Sequence, residues 1–220
     1  MSVKKNLRKR VNHKIIKIHR SSRYSDRIVI TLDNKNVFRI PEDVFVLKPL
    51  RVGDFISKSE IKKYDKKMRL QEAKDTAFKF LSFRMRSQSE MRKKLKDKSF
   101  LEHEINYAID LLLKYNYLND KEFAFSFAKE KIKLKKIGPK LLSFELTRRG
   151  ISEEISAQVI EECYNDNSIY KLIRHHLEKK KINKRSKLDI KKKKKLTDFL
   201  LRKGFNWQAI SVVYNDWGIL

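Results

Sequence analysis

The sequence predicts a mainly α protein, built of tandem three-helix repeats in three units and preceded by a small N-terminal β-rich segment. Three observations predict it. Apolar residues alternate with a period of two only before about residue 40, and from about residue 66 onward they follow helical spacing. Helix start and stop signals punctuate that second part. One short pattern also occurs three times, as Leu, three mostly polar residues, a Ser or Gly, then an apolar residue. Its copies are Leu95 to Phe100, Leu146 to Ile151 and Leu200 to Phe205, with leucines 51 and then 54 residues apart.

The elements follow in order. Residues 1–12 carry Lys4, Lys5, Arg8, Lys9 and Arg10 with no acid, and read as a basic flexible arm. Residues 13–65 read as a small β-rich domain. Ile15 to Ile18 is one strand, Ile28, Ile30 and Leu32 alternate with Val29 and Thr31 in a second, and Asp33 to Asn36 turns the chain into Val37 to Ile40. Pro41 can open a short helix, and Leu50 to Asp54 reads as a turn.

Helical repeat 1 spans 66–118, repeat 2 spans 119–165 and repeat 3 spans 166–220. Ser87-x-x-Glu90 and Asn119-x-x-Glu122 are capping boxes. Gly138-Pro139 places proline at a first helical position, and Gly150 and Gly204 supply left-handed caps. Further apolar anchors follow each copy of the pattern: Ile105 and Ile109, Ile155 and Val159, Ile210 and Val213. Such units cover on their neighbours the faces they cannot bury alone. Within repeat 3, residues 179–195 read as a longer, looser basic connection, in which Lys191 to Lys195 is either a disordered tether or a basic helix start.

Composition narrows the function. The 220 residues hold 54 Lys and Arg against 27 Asp and Glu, a formal net charge of +27. The natural counterpart is a polyanion, whether nucleic acid, an anionic membrane or an acidic protein surface, although lysine can also serve merely to solvate a surface. No apolar run approaches the roughly 18 residues that span a bilayer, and the N-terminus has no apolar signal core, so a cytoplasmic protein with no membrane partner is expected. Cys163, the single cysteine, permits no intramolecular disulfide and no cysteine-based zinc site, and its helical setting reads as a buried structural thiol.

No enzyme chemistry is legible. There is no Gly-rich phosphate loop. His175 and His176 are adjacent and on a helix point about 100° apart, too far to chelate one metal easily. Glu153-Glu154 and Glu161-Glu162 read as helix-surface acids. No catalytic residue, cofactor or metal is therefore expected.

Binding has better candidates. Arg84, Arg86, Arg92, Lys93 and Lys94 cluster at one helical junction, and Lys133, Lys135, Lys136, Lys140, Arg148 and Arg149 form a second group one unit later. They are either solvated helix faces or a track of positive charge displayed at repeat spacing towards phosphates or an acidic groove. Arg148 and Arg149, just before Gly150, are expected on an exposed helix end. Trp207 and Trp217 could stack on bases, yet the helical spacing around Trp207 favours core packing.

Three segments then carry a resemblance. Arg84-Met85-Arg86-Ser87-Gln88-Ser89-Glu90-Met91-Arg92-Lys93-Lys94-Leu95, Tyr117-Leu118-Asn119-Asp120-Lys121-Glu122-Phe123-Ala124, and Gly138-Pro139-Lys140 through Leu146 to Arg149-Gly150-Ile151 are similar to the first-repeat, junction and second-repeat signatures of the RecX family of bacterial RecA regulators. The match covers residues 66–164 well and the third repeat more loosely. Asn116 and Ser99 stand where that family usually has glycine, and Asn119 where it has aspartate. The resemblance implies a monomeric regulator that binds RecA-type recombinase filaments on single-stranded DNA, with double-stranded DNA a further candidate partner. It also implies that their ATPase, strand exchange and coprotease activity are restrained. The alternatives on the residues alone are a basic helical protein acting directly on DNA or RNA, and an enzyme with an unrecognised site.

Overall fold

The computed structural model describes residues 12–22, 26–166 and 169–219, so all but the last residue of the basic arm lies outside the described residues. The elements run β1 (Asn12–Arg20), β2 (Arg27–Leu32), β3 (Val37–Pro41), α1 (Glu42–Leu47), β4 (Phe55–Ser57), α2 (Lys58–Phe83), α3 (Gln88–Lys96), α4 (Glu102–Lys114), α5 (Asp120–Lys135), α6 (Pro139–Thr147), α7 (Glu153–Asp166), α8 (Ile169–Lys179), α9 (Ile190–Arg202) and α10 (Trp207–Trp217). The expected mainly α fold with a small N-terminal sheet is what forms. The chain divides into two compact units, Met1–Lys79 with Lys98–Ala108, and Phe80–Asp97 with Ile109–Leu220.

The first unit is built on an antiparallel sheet of order β3-β2-β1-β4. The period-two pattern works as read. Ile28, Ile30 and Leu32 are buried with Ile15, Phe38, Ile40 and Ile56, and Tyr64 of α2 stacks on Phe38 at 6.0 Å between ring centroids. At the β2–β3 turn the Asn34 side-chain oxygen accepts a hydrogen bond from the Asn36 amide at 3.0 Å, while Lys35 takes φ +64°. The fourth strand was not expected, because three residues are too few to show a period. Its register against β1 buries Ile56.

The helix that follows begins at Lys58, not near residue 66, because Ser57-x-x-Glu60 is itself a capping box. The Glu60 amide donates to the Ser57 hydroxyl at 3.3 Å, and the Glu60 carboxylate accepts from the Ser57 amide at 3.0 Å. Two of this unit's ion pairs tie α2 to its neighbours. Buried Arg27 donates to Asp75 at 2.7 Å, tying β2 to α2. Arg69 donates to both oxygens of Glu104 at 2.9 and 2.8 Å, tying α2 to the start of α4. Burial pushes the Glu104 carboxyl up, but the Arg69 and Leu101 hydrogen bonds outweigh it and hold the group below its ordinary range.

The helical part of the chain realises the repeat. Leu95, Leu146 and Leu200 are each fully buried, and the residue four positions on is left-handed each time: Ser99 at φ +60°, Gly150 at +74° and Gly204 at +90°. The three middle helices also share their start. The N-caps Ser87, Gly138 and Asp189 are evenly spaced, 51 residues apart. The three extra residues of the last repeat therefore lie inside α9 before Leu200, and with one more at its end α9 has 13 residues against 9 in α3 and α6. The expected longer connection is there, but over 180–189 and not 179–195, against 84–87 before α3 and 136–138 before α6. Lys191 to Lys195 are the first turns of α9, capped by Asp189, whose side chain accepts from the Lys192 amide at 2.6 Å. The connection is itself pinned where the Arg185 amide donates to the Trp217 carbonyl at 2.7 Å.

Neighbouring repeats meet the same way twice. The start of α3 sits on the end of α6, where the Ser87 hydroxyl donates to the Arg149 carbonyl at 2.6 Å. The start of α6 sits on the end of α9, where the Gly138 amide donates to the Lys203 carbonyl at 2.8 Å and the Lys140 amide to the Gly204 carbonyl at 3.1 Å. Asp120, first in α5, adds an acceptor for the Gln88 amide at 2.8 Å. The approach is close enough that a Cβ on Gly150 would come within 2.3 Å of the Ser89 Cβ, and one on Gly204 within 2.3 Å of the Leu141 nitrogen. A single apolar core runs from Phe123 to Ile219 through Leu142, Leu146, Leu200 and Phe205. Truncating one of these leucines to alanine costs about 2–5 kcal/mol.

Candidate functional site

The sequence-predicted basic residues all fall in the second unit, and their surroundings sort them. Arg86 is half-buried. Its Nε donates to the Phe80 carbonyl at 3.2 Å, its guanidinium lies 5.4 Å from the Phe80 ring centre, and burial followed by repulsion from Arg84 lowers its pKa. It fastens the end of α2. Arg84, half exposed, is held by Glu90 at 2.9 Å. Arg92 is partly covered, whereas Lys93 and Lys94 stand exposed on α3 with no ion pair among the described residues.

The second group divides likewise. Lys133 and Lys140 are exposed, and Arg148 is exposed with its guanidinium 5.8 Å from the Phe144 ring centre. Arg149 differs from expectation. Its guanidinium lies 4.0 Å from the Phe127 ring centre, donates to the Glu145 carbonyl at 2.7 Å, and pairs with the carboxylates of Glu145 at 3.7 Å and Glu90 at 3.9 Å. It joins α3, α5 and α6 and is no exposed helix end. Lys136 is the left-handed C-cap of α5, at φ +50°, and its carbonyl accepts from the buried His176 ring at 2.8 Å. What remains available for a partner is Lys93 and Lys94 on α3, Lys133 and Lys135 on α5 with its C-cap Lys136, and Lys140 and Arg148 on α6.

Other side chains fall partly as read. Cys163 is buried, as expected. His176 is buried against Phe199 and Phe205 while His175 is exposed. Trp217 packs in the core, but Trp207 is 50% exposed at the start of α10, contrary to the core packing its spacing suggested, because it faces outward from the first turn. Among the described residues no three His, Cys, Asp or Glu side chains gather as a metal group would, and no helix is long and apolar enough to cross a membrane.

A chain of three successive three-helix units, with small-residue caps setting one repeat on the next, defines a tandem helical-repeat protein with a basic face. Family models narrow this further: RecX, first three-helix domain, matches residues 73–112, RecX, second three-helix domain, residues 119–160, and RecX, third three-helix domain, residues 167–213. The chain is similar to Regulatory protein RecX of Caldanaerobacter subterraneus subsp. tengcongensis, at 31% identity covering 92% of this chain and 97% of that one. It is also similar to the Regulatory protein RecX of Bacillus velezensis, at 33% identity covering 90% and 74%. A crystal structure of regulatory protein RecX matches the fold with TM-score 0.71 at 22% identity, over 92% of this chain and 99% of that one. The chain belongs to the RecX family.

Proposed function

We propose that this chain is a regulator that binds RecA-type recombinase filaments on single-stranded DNA and restrains their ATPase, strand exchange and coprotease activity. The observation that carries the reading is the run of three RecX domains in order, together with the exposed cations of α3 and α6. A filament repeats along its length, so equivalent helices of successive repeats can engage equivalent positions, and linked contacts raise affinity beyond any single one. On this reading Lys93, Lys94, Lys133, Lys136, Lys140 and Arg148 face the filament. Arg84, Arg86, Arg92 and Arg149 hold the surface in shape.

The chain acts as a monomer in the cytoplasm, binds duplex DNA through the same charges, uses no cofactor and turns over no substrate. The proposed limits are those of the sequence: a β-rich domain to residue 65 and helical repeats over 66–118, 119–165 and 166–220. The net charge of +27 favours one other reading, a protein acting directly on nucleic acid. A pull-down from bacterial lysate with and without nuclease separates them. Recombinase retained after nuclease treatment supports the regulator; its complete loss favours the direct nucleic-acid reading.

A further inference from the structure

Three helices of the second unit end at one place. α5 stops at Lys135 with Lys136 as its C-cap, α8 stops at Lys179, and α9 stops at Arg202 with Lys203 as its C-cap. Between these ends lies an open cavity of about 670 Å³, lined by Lys135, Lys136, Lys179, Lys180 and Lys203 and by no carboxylate. None of these five lysines has an ion pair among the described residues, whereas nearby Lys131 is paired with Glu145 at 3.4 Å. Lysines do favour helix C-termini, but each end carries only about half a negative charge. Three ends thus offset about 1.5 of five positive charges and leave about 3.5 converging without compensation.

The floor sharpens this field. Phe199 lies beneath Lys180, whose Nζ is 4.2 Å from the ring centre, and packs edge-on against the buried His176 ring at 5.4 Å. A concave site of one sign with a low-dielectric wall concentrates its potential on an entering anion. Its charged side chains are all lysine, with no arginine. Lysine binds phosphate as a point charge, without the bidentate geometry that the arginine fork offers to carboxylate and phosphate alike. A single strand can bend its phosphates into a concavity, but duplex DNA, stiff over about 150 base pairs, meets only the rim.

We propose that this cavity, closed by the ends of α5, α8 and α9, holds phosphodiester groups of a single nucleic-acid strand. The assignment rests on the reading of the chain as a regulator working where single-stranded DNA is present. It adds a grip on the strand itself, apart from the α3 and α6 surface. Lys179, Lys180 and Lys203 come from the third repeat, some forty residues and more beyond Lys136 in sequence, so only folding assembles the site.

The test is binding of a fluorescein-labelled oligothymidylate to the full chain, by anisotropy at several salt concentrations. Lys179→Gln with Lys180→Gln removes two exposed lysines, and circular dichroism checks the fold. Each phosphate neutralised on a single strand contributes about −0.7 to the slope of log affinity against log salt. The double variant should therefore lose a slope of about 1.4, so that between about 50 and 200 mM salt its affinity falls about sevenfold less than that of the unchanged chain. Lys179→Arg with Lys180→Arg should restore the slope, and a duplex of equal length should be bound alike by all three proteins. In proton NMR of this five-histidine chain, the oligothymidylate should move the His175 and His176 imidazole signals. An unchanged slope in the glutamine variant, or an equal loss on duplex, overturns the cavity assignment. Inhibition of recombinase ATPase by the unchanged chain is measured in parallel. If inhibition is present while the slope does not change, the cavity assignment fails and the regulator reading stands. If inhibition is absent while the slope falls as predicted, the regulator reading fails and the cavity assignment stands.

Discussion

Replacing Gly204 by alanine tests how the repeats are joined. Its φ of +90° lies where L-residues are strained, a cost of about 1–2 kcal/mol. The added Cβ would also come within 2.3 Å of the Leu141 nitrogen and 2.5 Å of the Leu141 Cβ. Leu141 lies in the first turn of α6, so the contact cannot be relieved by turning a side chain. The helix start must lift away from the α9 cap and loosen the bonds from the Gly138 amide to Lys203 and from the Lys140 amide to Gly204, each contributing about 1 kcal/mol. The total is about 3–4 kcal/mol. Gly53 supplies the control, since at φ +102° it has nothing within 4 Å of its would-be Cβ, and Gly53→Ala should cost only the backbone part. Urea unfolding followed by circular dichroism measures both, and amide exchange at Lys140 reports the junction directly. A Gly204→Ala cost no greater than that of Gly53→Ala, or full protection retained at the Lys140 amide, would refute the reasoning.

Three other outcomes follow from the geometry. Arg149→Glu should destabilise the second unit by about 2–3 kcal/mol, because it removes hydrogen-bonded charge and faces Glu90 and Glu145 with a like charge; Arg148→Glu should change urea stability by less than about 0.5 kcal/mol while weakening filament inhibition. Ser99→Gly should stabilise by about 1 kcal/mol in the same titration, because it relieves the left-handed strain at φ +60° more than it adds unfolded-state freedom. His176 is held below its ordinary pKa by burial, an effect its bond to the Lys136 carbonyl only partly opposes. The unfolded chain therefore takes up the proton first, and stability declines as pH falls below about 6.5. Thermal melts from pH 7 to 5 should show a shallower decline for His176→Gln than for the unchanged chain.

Much of the fold was legible because it is written locally. Ser87, Asn119, Gly138 and Gly150 act through hydrogen bonds and dihedrals within a few residues of themselves, and a sequence displays them at that range. Ser57-x-x-Glu60 was equally local and went unread only because lysines follow it, hiding the apolar period of α2. The site was less legible, since exposure depends on distant partners. Arg148 and Arg149 look alike in sequence, but Glu90 and Phe127 lie on other helices and claim only the second. The lysines of α8 and α9 likewise meet those of α5 only through the non-local core shared by the second and third repeats.

ATP hydrolysis by a RecA-type recombinase on single-stranded DNA, titrated with this protein beside a measurement of its own DNA binding at matched salt, bears most directly on the proposed function. Inhibition should be complete at less than one copy per recombinase subunit, and Lys140→Glu with Arg148→Glu should weaken it without unfolding the chain. Hydrolysis that continues unchanged at concentrations where this protein already saturates the DNA would contradict the regulator assignment.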